Sequence, residues 1–384
     1  MARADAGIVR FRAFRIGLIG GAALLVVAAV IALPHLAGRA EETPPTAPPI
    51  AGAALPAGTG AAEAPDAPSE PPLQRLVPPS SGVLLGVSNP DLPRDAGAVH
   101  DWTADHGVRP RIVNWFQQWL SGETRLRADW AARVAEEGAV PMITWEPWSA
   151  PAGVKHDAEQ PEISLARIAA GDHDDYIRSF ARQVAAYRGP VLIRLMHEMN
   201  GQWFSWGVGV NGNTAGDFVA AWRHVHRVFD QEGARNVSWV WSINNLESAD
   251  AEADVAELYP GDRWVDWVAT SGFNWGDAYS WSSWRDAGAI YGSAYRALSG
   301  FGKPIMISEI GTTDIGGDAG AWIAESMATV RTSYPLVRAV LWYDDIDGAG
   351  LDFRLQGPTA RALADPAATG TGWLQDPTLR YIAS

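Results

Sequence analysis

The chain has 384 residues, 47% of them hydrophobic, so it is long enough to bury a large core even if part of it is not globular. Its formal net charge of −14 argues against a nucleic-acid partner, because nucleic-acid-binding surfaces are positively charged. It has no cysteine, which excludes disulfides and thiol chemistry but not an extracytoplasmic location.

The N-terminal residues have the pattern of a targeting segment. Four arginines precede an uncharged run of 18 residues, Ile16–Leu33, which reaches the lower limit for a membrane-spanning helix. The arginines should stay in the cytoplasm, which places the rest of the chain outside. We therefore expect residues 1–40 to be an uncleaved signal anchor, with a signal peptide cleaved after Ala40 as the alternative, so that the protein is membrane-anchored or secreted.

Residues 41–80 have the composition of a linker. They contain 11 of the 26 prolines and few large apolar residues. Such a segment cannot bury enough apolar surface to offset the entropy lost on ordering, and its prolines favour extended conformations. We expect a disordered, Pro/Ala-rich linker that separates residues 81–384 from the membrane.

From residue 81 onward, short apolar runs alternate with amphipathic stretches. The apolar runs predict eight strands, at Val83–Val87, Arg111–Trp115, Val140–Trp145, Val191–His197, Val237–Ser242, Val268–Phe273, Pro304–Ile310 and Val337–Tyr343. Helical periodicity predicts helices at Ala96–His106, Arg127–Glu137, Asp174–Tyr187, Ala215–Glu232, Ser283–Leu298 and Ala319–Tyr334.

This alternation predicts an α/β fold, a (β/α)8 TIM barrel over residues 81–384. An open, doubly wound sheet is the main alternative. It lacks its usual nucleotide signature here, because the first strand runs into Ser88, Asn89 and Pro90 rather than a glycine-rich phosphate loop.

Two glutamates lie where catalytic groups of such a barrel are found, at the carboxyl ends of strands. Glu198 follows the fourth predicted strand and Glu309 ends the seventh. Strand alternation puts Arg194, Met196 and Glu198 on one face, and Ile305, Ile307 and Glu309 on one face of the other strand. If both faces point inward, the two carboxyl groups meet above the barrel core.

Paired carboxyl groups are what glycosidic cleavage requires. One carboxylic acid protonates the leaving oxygen, and the other carboxylate attacks the anomeric carbon or activates a water. Either glutamate alone fits a buried structural ion pair equally well, but the pair lies among tryptophans, of which the chain has 19. Aromatic faces suit the apolar faces of sugar rings, although we expect about half of these tryptophans to be core residues.

The segment His197-Glu198-Met199-Asn200-Gly201-Gln202-Trp203-Phe204-Ser205-Trp206-Gly207 resembles the acid/base motif of glycoside hydrolase family 26. The resemblance extends over residues 81 to about 355. That family contains β-mannanases, mixed-linkage β-glucanases and some xylanases. The resemblance implies a retaining endo-β-glycanase with Glu198 as acid/base and Glu309 as nucleophile, no cofactor, and carboxyl groups roughly 5–5.5 Å apart.

The resemblance also implies substrate-binding positions. His197 would border the cleavage site, Trp203 would stack beside the scissile bond, and Trp342 would form a sugar platform. Asn274 and Trp275 resemble the β-glucanase members more than the mannanases. A core position is the alternative for Trp203 and Trp342, and a hydrogen-bonded strand-end histidine for His197.

The sixth predicted strand departs from the family pattern. Asp and Tyr often stand in the family where this chain has Ser271 and Phe273, and that tyrosine hydroxyl contacts the nucleophile. Phe273 cannot make this bond, so the tuning of Glu309 is expected to differ or the activity to be low.

Other acidic residues suggest different roles. Glu146 ends the third predicted strand, where a structural or sugar-binding role is expected rather than catalysis. The cluster Asp344, Asp345 and Asp347 lacks the spacing of a calcium loop, so no metal is predicted.

The leading hypothesis is a membrane-tethered enzyme that cleaves β-1,4-mannan, mixed-linkage β-1,3-1,4-glucan or an exopolysaccharide of the same cell. Two alternatives remain from the sequence. One is a non-catalytic or weakly active glycan-binding barrel, which the changes at Ser271 and Phe273 motivate. The other is an accessory to exopolysaccharide synthesis, with a membrane polysaccharide synthase as its partner.

Overall fold

The computed structural model describes residues 73–150, 157–246, 255–365 and 379–383. The predicted anchor or signal segment at 1–40, and the predicted linker up to residue 72, lie outside the described residues. Among the residues that are described, none of the helices combines the length and the apolar character needed to cross a bilayer.

Eight parallel strands form a closed barrel in chain order. They are β2 (Leu84–Ser88), β3 (Ile112–Gln118), β4 (Val140–Glu146), β5 (Val191–Leu195), β6 (Val237–Asn244), β7 (Trp267–Asn274), β8 (Ile305–Thr312) and β9 (Val337–Tyr343). All eight predicted strands are present, each within three residues of its expected ends. The predicted TIM barrel is confirmed, because β2 pairs with both β3 and β9 and so closes the sheet.

The helices that follow these strands are α1 (Ala98–His106), α2 (Ala128–Glu136), α3 (Leu165–Ala170), α4 (Asp174–Tyr187), α5 (Ala215–Gln231), α6 (Ala287–Ser299), α7 (Ala319–Ser333) and α8 (Pro358–Ala364). Thr214 begins α5 with a capping box, in which its side chain and that of Asp217 satisfy each other's backbone N–H groups. Between β6 and β7 the described residues contain only the 3-10 segments Ala256–Leu258 and Asp262–Trp264.

The hydrophobic core has two parts, as strand alternation requires. One set of strand side chains packs inside the barrel, for example Leu192, Met306 and Leu341. The other set packs outward with the helices, for example Ile193, Ile307 and Trp342. These parities decide which side chains can reach the open end of the barrel.

A small antiparallel sheet of β1 (Gln74–Leu76) and β10 (Tyr381–Ala383) accompanies the barrel. Leu76 packs with the interior cluster, and Arg75 forms a salt bridge with Asp266 in the segment that leads into β7. Because β1 falls within the range 41–80 predicted as linker, ordered structure begins before residue 81. The other predicted domain boundaries stay predictions.

Two strands depart from regular alternation close to the predicted catalytic glutamates. β5 ends at Leu195, two residues earlier than predicted, since Met196 adopts a left-handed conformation with φ of 47° and packs in the outer core. The second irregularity lies in the pairing of β7 with β8. Thr270 of β7 pairs with Ile307, but the next residue, Ser271, pairs with Glu309, so Ser308 is an additional residue that forms a β-bulge in β8. Ile305 and Ile307 share a face as expected, but it is the outer one, and Glu309 does not lie on it. Met196 also packs outward, away from Arg194, so the expected faces are wrong for Met196 and Glu309.

Candidate active site

A hydrogen-bonded layer of polar side chains lies on the interior apolar core at the carboxyl end of the barrel. Asn114 Nδ2 donates to Ser88 Oγ at 2.7 Å, and Thr144 Oγ1 donates to Asn114 Oδ1 at 2.8 Å. Arg194 Nε in turn donates to Thr144 Oγ1 at 2.9 Å. Strands β2 to β5 thus hold a fully buried guanidinium in a fixed orientation.

Arg194 positions Glu309, which lies three residues before the end of β8. Its Nη2 donates to Glu309 Oε1 in a buried salt bridge, and its Nη1 donates to Ser308 Oγ at 3.3 Å. Ser308 Oγ also lies 2.8 Å from Ser242 Oγ on β6. Because of the bulge, both Ser308 and Glu309 reach the barrel interior, and a bulge is a common way to re-aim an active-site side chain.

Glu198 is held in a different way. It adopts a left-handed backbone conformation with φ of 54°, and its N–H donates to the carbonyl of Ser242 at 2.8 Å. Ser271 Oγ donates to Glu198 Oε1, and Trp203 Nε1 donates to Oε2 at 2.9 Å. Both oxygens of Glu198 therefore have neutral hydrogen-bond partners, and neither forms a salt bridge within the residues that the structure describes.

Ser271 brings the two glutamates together. It is the register partner of Glu309 across β7 and β8, and its hydroxyl bonds to Glu198. Burial raises the pKa of the Glu309 carboxyl, the guanidinium of Arg194 opposes this rise, and the charge of Glu198 adds to it. The two predicted catalytic residues therefore lie side by side at the barrel mouth, where they are 7% and 6% exposed.

His197 precedes Glu198 in the chain and Trp203 hydrogen-bonds to it, but the two differ in exposure. Their roles as substrate contacts stay predictions. Trp203 is 50% exposed, so one edge of its ring is open to a ligand while its N–H holds Glu198. His197 is buried against Phe204, with ring centroids 4.6 Å apart. Burial lowers the pKa of His197 well below its usual range, and the charge of Arg194 lowers it further, so its imidazole is neutral.

A third carboxyl group lies close to the pair. Glu146 ends β4 with interior parity, and its Oε2 accepts a bond from Trp148 Nε1 at 3.2 Å. Burial raises its pKa to about 8, and the charges of Glu309 and Glu198 contribute to that rise, whereas Trp148 and Arg194 oppose it. At neutral pH Glu146 therefore carries a proton and offers a hydroxyl donor rather than a negative charge.

An open cleft of about 450 Å³ lies beside this cluster, at the ends of β2, β3 and β9. Phe116 and Tyr343 are among its lining residues, with Gln118 and Asp345 as polar neighbours. Phe116 connects the cleft to the cluster, because its ring centroid lies 6.0 Å from that of His197 and 5.5 Å from Arg194 Cζ.

Two predicted substrate-binding residues face the wrong way. Trp342 is only 1% exposed and packs outward with Trp322 of α7, because Leu341 and Tyr343 take the interior positions of β9. The prediction that Trp342 forms a sugar platform is therefore wrong. Tyr343 is the aromatic residue that lines the cleft.

Asn274 is also buried, at 1% exposure. Its Nδ2 donates to Thr312 Oγ1 at 2.9 Å, and its Oδ1 accepts from the N–H of Arg285 at 3.0 Å and of Gly276 at 3.3 Å. Its side chain thus fixes the segment after β7, and the prediction that it binds substrate is wrong. Trp275 is half-buried, so its substrate-binding role stays a prediction.

Sequence reasoning missed several residues of the site. Ser271 was noticed only as a departure, yet it is the donor that links β7 to Glu198. Its interior position follows from Ala269, two residues earlier on the same face. Phe273 packs with Trp275, Tyr343 and Phe353, with ring centroids 5.1 to 5.5 Å apart, so its position is apolar.

No cluster of three or more His, Asp or Glu side chains suited to a metal ion occurs among the described residues. Asp344, one of the three aspartates after β9, is a structural brace. Its carboxylate accepts bonds from Trp102 Nε1 and from the N–H of Leu355, both at 2.7 Å.

Residues 167–313, which contain both glutamates, match the model of glycosyl hydrolase family 26. This part of the chain is similar to glycosyl hydrolase family 26. It is 32% identical over 296 residues to endoglucanase H of Acetivibrio thermocellus, a region that covers 76% of this chain and 31% of that protein. It is 26% identical to a β-1,3-xylanase of a Vibrio species, over 54% of this chain and 42% of that protein.

Further proteins match this chain over shorter regions or by fold. A mannan endo-1,4-β-mannosidase of Bacillus subtilis is 32% identical over 128 residues, which is 32% of this chain and 30% of that protein. The solved structure of a Bacteroides ovatus family 26 β-mannanase superposes with a TM-score of 0.57 at 16% identity, covering 79% of this chain and 92% of that one. This chain thus spans less than half the length of these curated relatives, and the structural likeness supports the fold.

Proposed function

We propose that the chain is a retaining endo-β-glycanase in which Glu198 is the acid/base and Glu309 the nucleophile. The observation that carries this proposal is the asymmetric pair of carboxyl groups at the barrel mouth. Glu309 has a fixed guanidinium partner, whereas Glu198 has only neutral donors. Two adjacent carboxyl groups with different surroundings can be ionised and protonated at the same pH.

In the first step, the Glu309 carboxylate attacks the anomeric carbon while the bond to the leaving oxygen breaks. The carboxylic proton of Glu198 passes to that oxygen. Arg194 favours the ionised form of Glu309 that this attack needs. The Ser271 hydroxyl can donate to a carboxylate or accept from a carboxylic acid, so it fits both protonation states of Glu198.

In the second step, Glu198 takes a proton from water, whose oxygen displaces Glu309 from the sugar and restores both groups. The configuration at the anomeric carbon is inverted twice and is therefore retained. We expect the carboxyl groups to be roughly 5–5.5 Å apart, as such a mechanism requires.

The proposed substrate is a β-glucan, with mixed-linkage β-1,3-1,4-glucan ahead of β-1,4-mannan. The extent of sequence similarity supports this order, because the match to an endoglucanase covers 76% of the chain and the match to the B. subtilis mannosidase covers 32%. Mannan stays the second candidate, since several relatives of this chain carry the name mannan endo-1,4-β-mannosidase.

The test is release of reducing ends from mixed-linkage glucan, β-mannan and β-1,3-xylan by the intact chain. Glu198→Gln and Glu309→Gln should each lower the rate by at least about a thousandfold, because each removes a group that the transition state needs. Proton NMR of the first product should show the β-anomer before mutarotation.

Glu136→Gln is the matched control, because Glu136 is exposed at the end of α2, away from the barrel mouth. Equal activity of all three variants and the unchanged chain would refute the assignment of both glutamates. Tight binding of glucan without turnover, even of activated aryl glycosides, would instead support the glycan-binding alternative, which the apolar position of Phe273 motivates.

We also propose that the first 40 residues tether the enzyme outside the cytoplasmic membrane, close to a polysaccharide synthase. The arginines before the apolar run Ile16–Leu33 support this placement. Immunoblots of membrane and medium fractions, with external protease digestion of intact cells, test it. A product confined to the cytoplasm would refute the tether, and recovery without a membrane glycosyltransferase would count against the synthase.

A further inference from the structure

The segment after β7 exposes a flat aromatic surface. Trp281 is 70% exposed, the highest value among the large hydrophobic side chains of the described residues. Its ring stacks on that of Tyr279, with centroids 5.1 Å apart and planes only 5° from parallel. An indole held open to water on a second ring is typical of a binding surface rather than of core packing.

Hydrogen bonds hold this surface in place without a ligand. The N–H of Tyr279 donates to Ser282 Oγ and the N–H of Ser282 donates to the carbonyl of Tyr279, both at 3.0 Å. Closer to β7, the N–H of Asp277 donates to the carbonyl of Ile315 at 3.0 Å. Little conformational entropy is therefore left to lose when a ligand binds.

Gly276 permits this last contact. It adopts φ of 53°, and a Cβ at this position would overlap the carbonyl oxygen of Ile315. The segment is thus fixed to the strand-end region that follows β8, the strand that carries Glu309.

A continuous row of aromatic rings joins this surface to the cleft. Trp281 lies 6.0 Å from Trp275, which lies 5.3 Å from Phe273, measured between ring centroids. Phe273 lies 5.5 Å from Tyr343, and Tyr343 lines the cleft. The row therefore runs from the exposed Trp281 to the cleft at the ends of β2, β3 and β9.

We propose that Trp281, stacked on Tyr279, is a distal sugar-binding subsite that receives the apolar face of a pyranose ring of the glycan chain. This subsite rests on the proposed function for its ligand. Its position at the end of an aromatic row makes it specific for long chains, because a short oligosaccharide bound at Glu198 and Glu309 does not reach Trp281. Binding energy at such a remote ring supports catalysis on the polymer.

The binding test uses the catalytically inert chain, so that it does not depend on turnover. Retardation of Glu309→Gln in gels containing mixed-linkage glucan or β-mannan is compared with that of Glu309→Gln/Trp281→Ala. We expect the dissociation constant for the retarding polysaccharide to rise about tenfold, the loss expected for one stacked ring. Glu309→Gln/Leu336→Ala is the control, because Leu336 is 39% exposed in the turn that precedes β9, at the other end of the barrel.

The second test uses the active chain. The ratio of kcat/KM for the polysaccharide to kcat/KM for a nitrophenyl disaccharide should fall about tenfold in Trp281→Ala and less in Tyr279→Ala. Unchanged binding and an unchanged ratio in Trp281→Ala would overturn the subsite while leaving the proposed hydrolase intact. Absence of turnover in the unmutated chain would instead refute the hydrolase, and the binding comparison would still decide the subsite.

Discussion

Glu198 and Glu309 carry the same functional group at nearly the same depth, but their surroundings differ. The region around Glu309 contains a fully buried guanidinium that is itself fixed by Thr144 and Ser308. The region around Glu198 contains an indole N–H and a hydroxyl, both neutral. A carboxylate that must stay charged and a carboxyl group whose proton must come and go need such different neighbours.

The backbone differs between the two regions as well. A bulge in β8 directs Glu309 inward, whereas a left-handed turn after β5 directs Glu198. Each glutamate thus depends on a backbone irregularity, within β8 for Glu309 and directly after β5 for Glu198. The site is built by breaking strand regularity at two places, and among the described residues a cation pairs with the glutamate at only one of them.

Replacing Arg194 is expected to have the largest effect on this asymmetry. Arg194→Met leaves Glu309 buried without its cation, which should cost about 3 kcal/mol of unfolding free energy. The pKa of Glu309 should rise further, so the acid limb of the kcat/KM profile moves to higher pH. Urea unfolding and pH–rate profiles with an aryl glycoside measure both.

Arg182→Met is the control for Arg194, since it removes an arginine whose salt bridge with Glu232 is exposed to solvent. An acid limb that stays in place in Arg194→Met would mean that the guanidinium does not set the ionisation of Glu309. The difference between the two regions would then not be electrostatic.

Glu146 is a third buried carboxyl group, and no salt bridge to it occurs within the described part of the chain. Its pKa is raised to about 8, so the native state keeps this proton over a range in which the unfolded chain releases it, from about pH 4.5 upward. The stability that the protonated carboxyl group contributes is therefore lost as the pH rises from about 4.5 to about 8. The free energy of unfolding of Glu146→Gln, relative to that of the unmutated chain, should therefore increase by about 3 kcal/mol as the pH rises from 5 to 8.

Urea unfolding of both proteins at the two pH values measures this difference. Glu136→Gln again serves as the control, because Glu136 is exposed at a helix end. A pH-independent difference for Glu146→Gln would contradict the neutral carboxyl group.

Ser271→Ala removes one of the two donors to Glu198. We expect kcat to fall about tenfold on polysaccharide, the loss typical of a hydrogen bond to a reacting group. The loss should be smaller on aryl glycosides with good leaving groups, because their departure needs little protonation. Ser333→Ala, at the exposed end of α7, is the control. Equal losses on both substrate types would assign Ser271 to packing.

Trp203→Phe is expected to have the smallest effect. It keeps an aromatic ring beside Glu198 but loses the Nε1–H bond to Oε2, worth about 1 kcal/mol and hence about fivefold in kcat/KM. Trp203→Ala should lose more, because the ring is removed too. If the two variants are equally impaired, the ring does not contact substrate.

Strand order and the identity of both glutamates were accessible from the sequence because apolar runs and helical periodicity are local signals. Strand alternation does not account for the inward orientation of the two glutamates, because it cannot predict the positive φ at Met196 or the extra residue at Ser308. These irregularities arise from tertiary contacts such as the bond from Glu198 N–H to Ser242. The position of each glutamate in the sequence could thus be predicted, but the backbone geometry that orients it could not.

The wrong predictions at Trp342 and Asn274 have different causes. An aromatic residue at a strand end can bind a sugar only if its side chain points into the barrel mouth. Trp342 points outward, and Tyr343, one position later, points inward to the cleft. Asn274 looks like a ligand contact by type, yet the backbone N–H groups around it take its carbonyl oxygen. No local signal in the sequence distinguishes these two uses of an asparagine.

The left-handed conformation at Glu198 implies a conflict between stability and activity. A non-glycine residue in this region costs about 1–2 kcal/mol, and Met196 adds a second such position two residues earlier. The substitution Glu198→Gly would relieve this backbone strain, but it would remove the carboxyl group. Selection for thermal stability alone would therefore favour replacement of residues in this turn, and stabilising substitutions chosen by backbone preference would include the proposed acid/base residue among their targets.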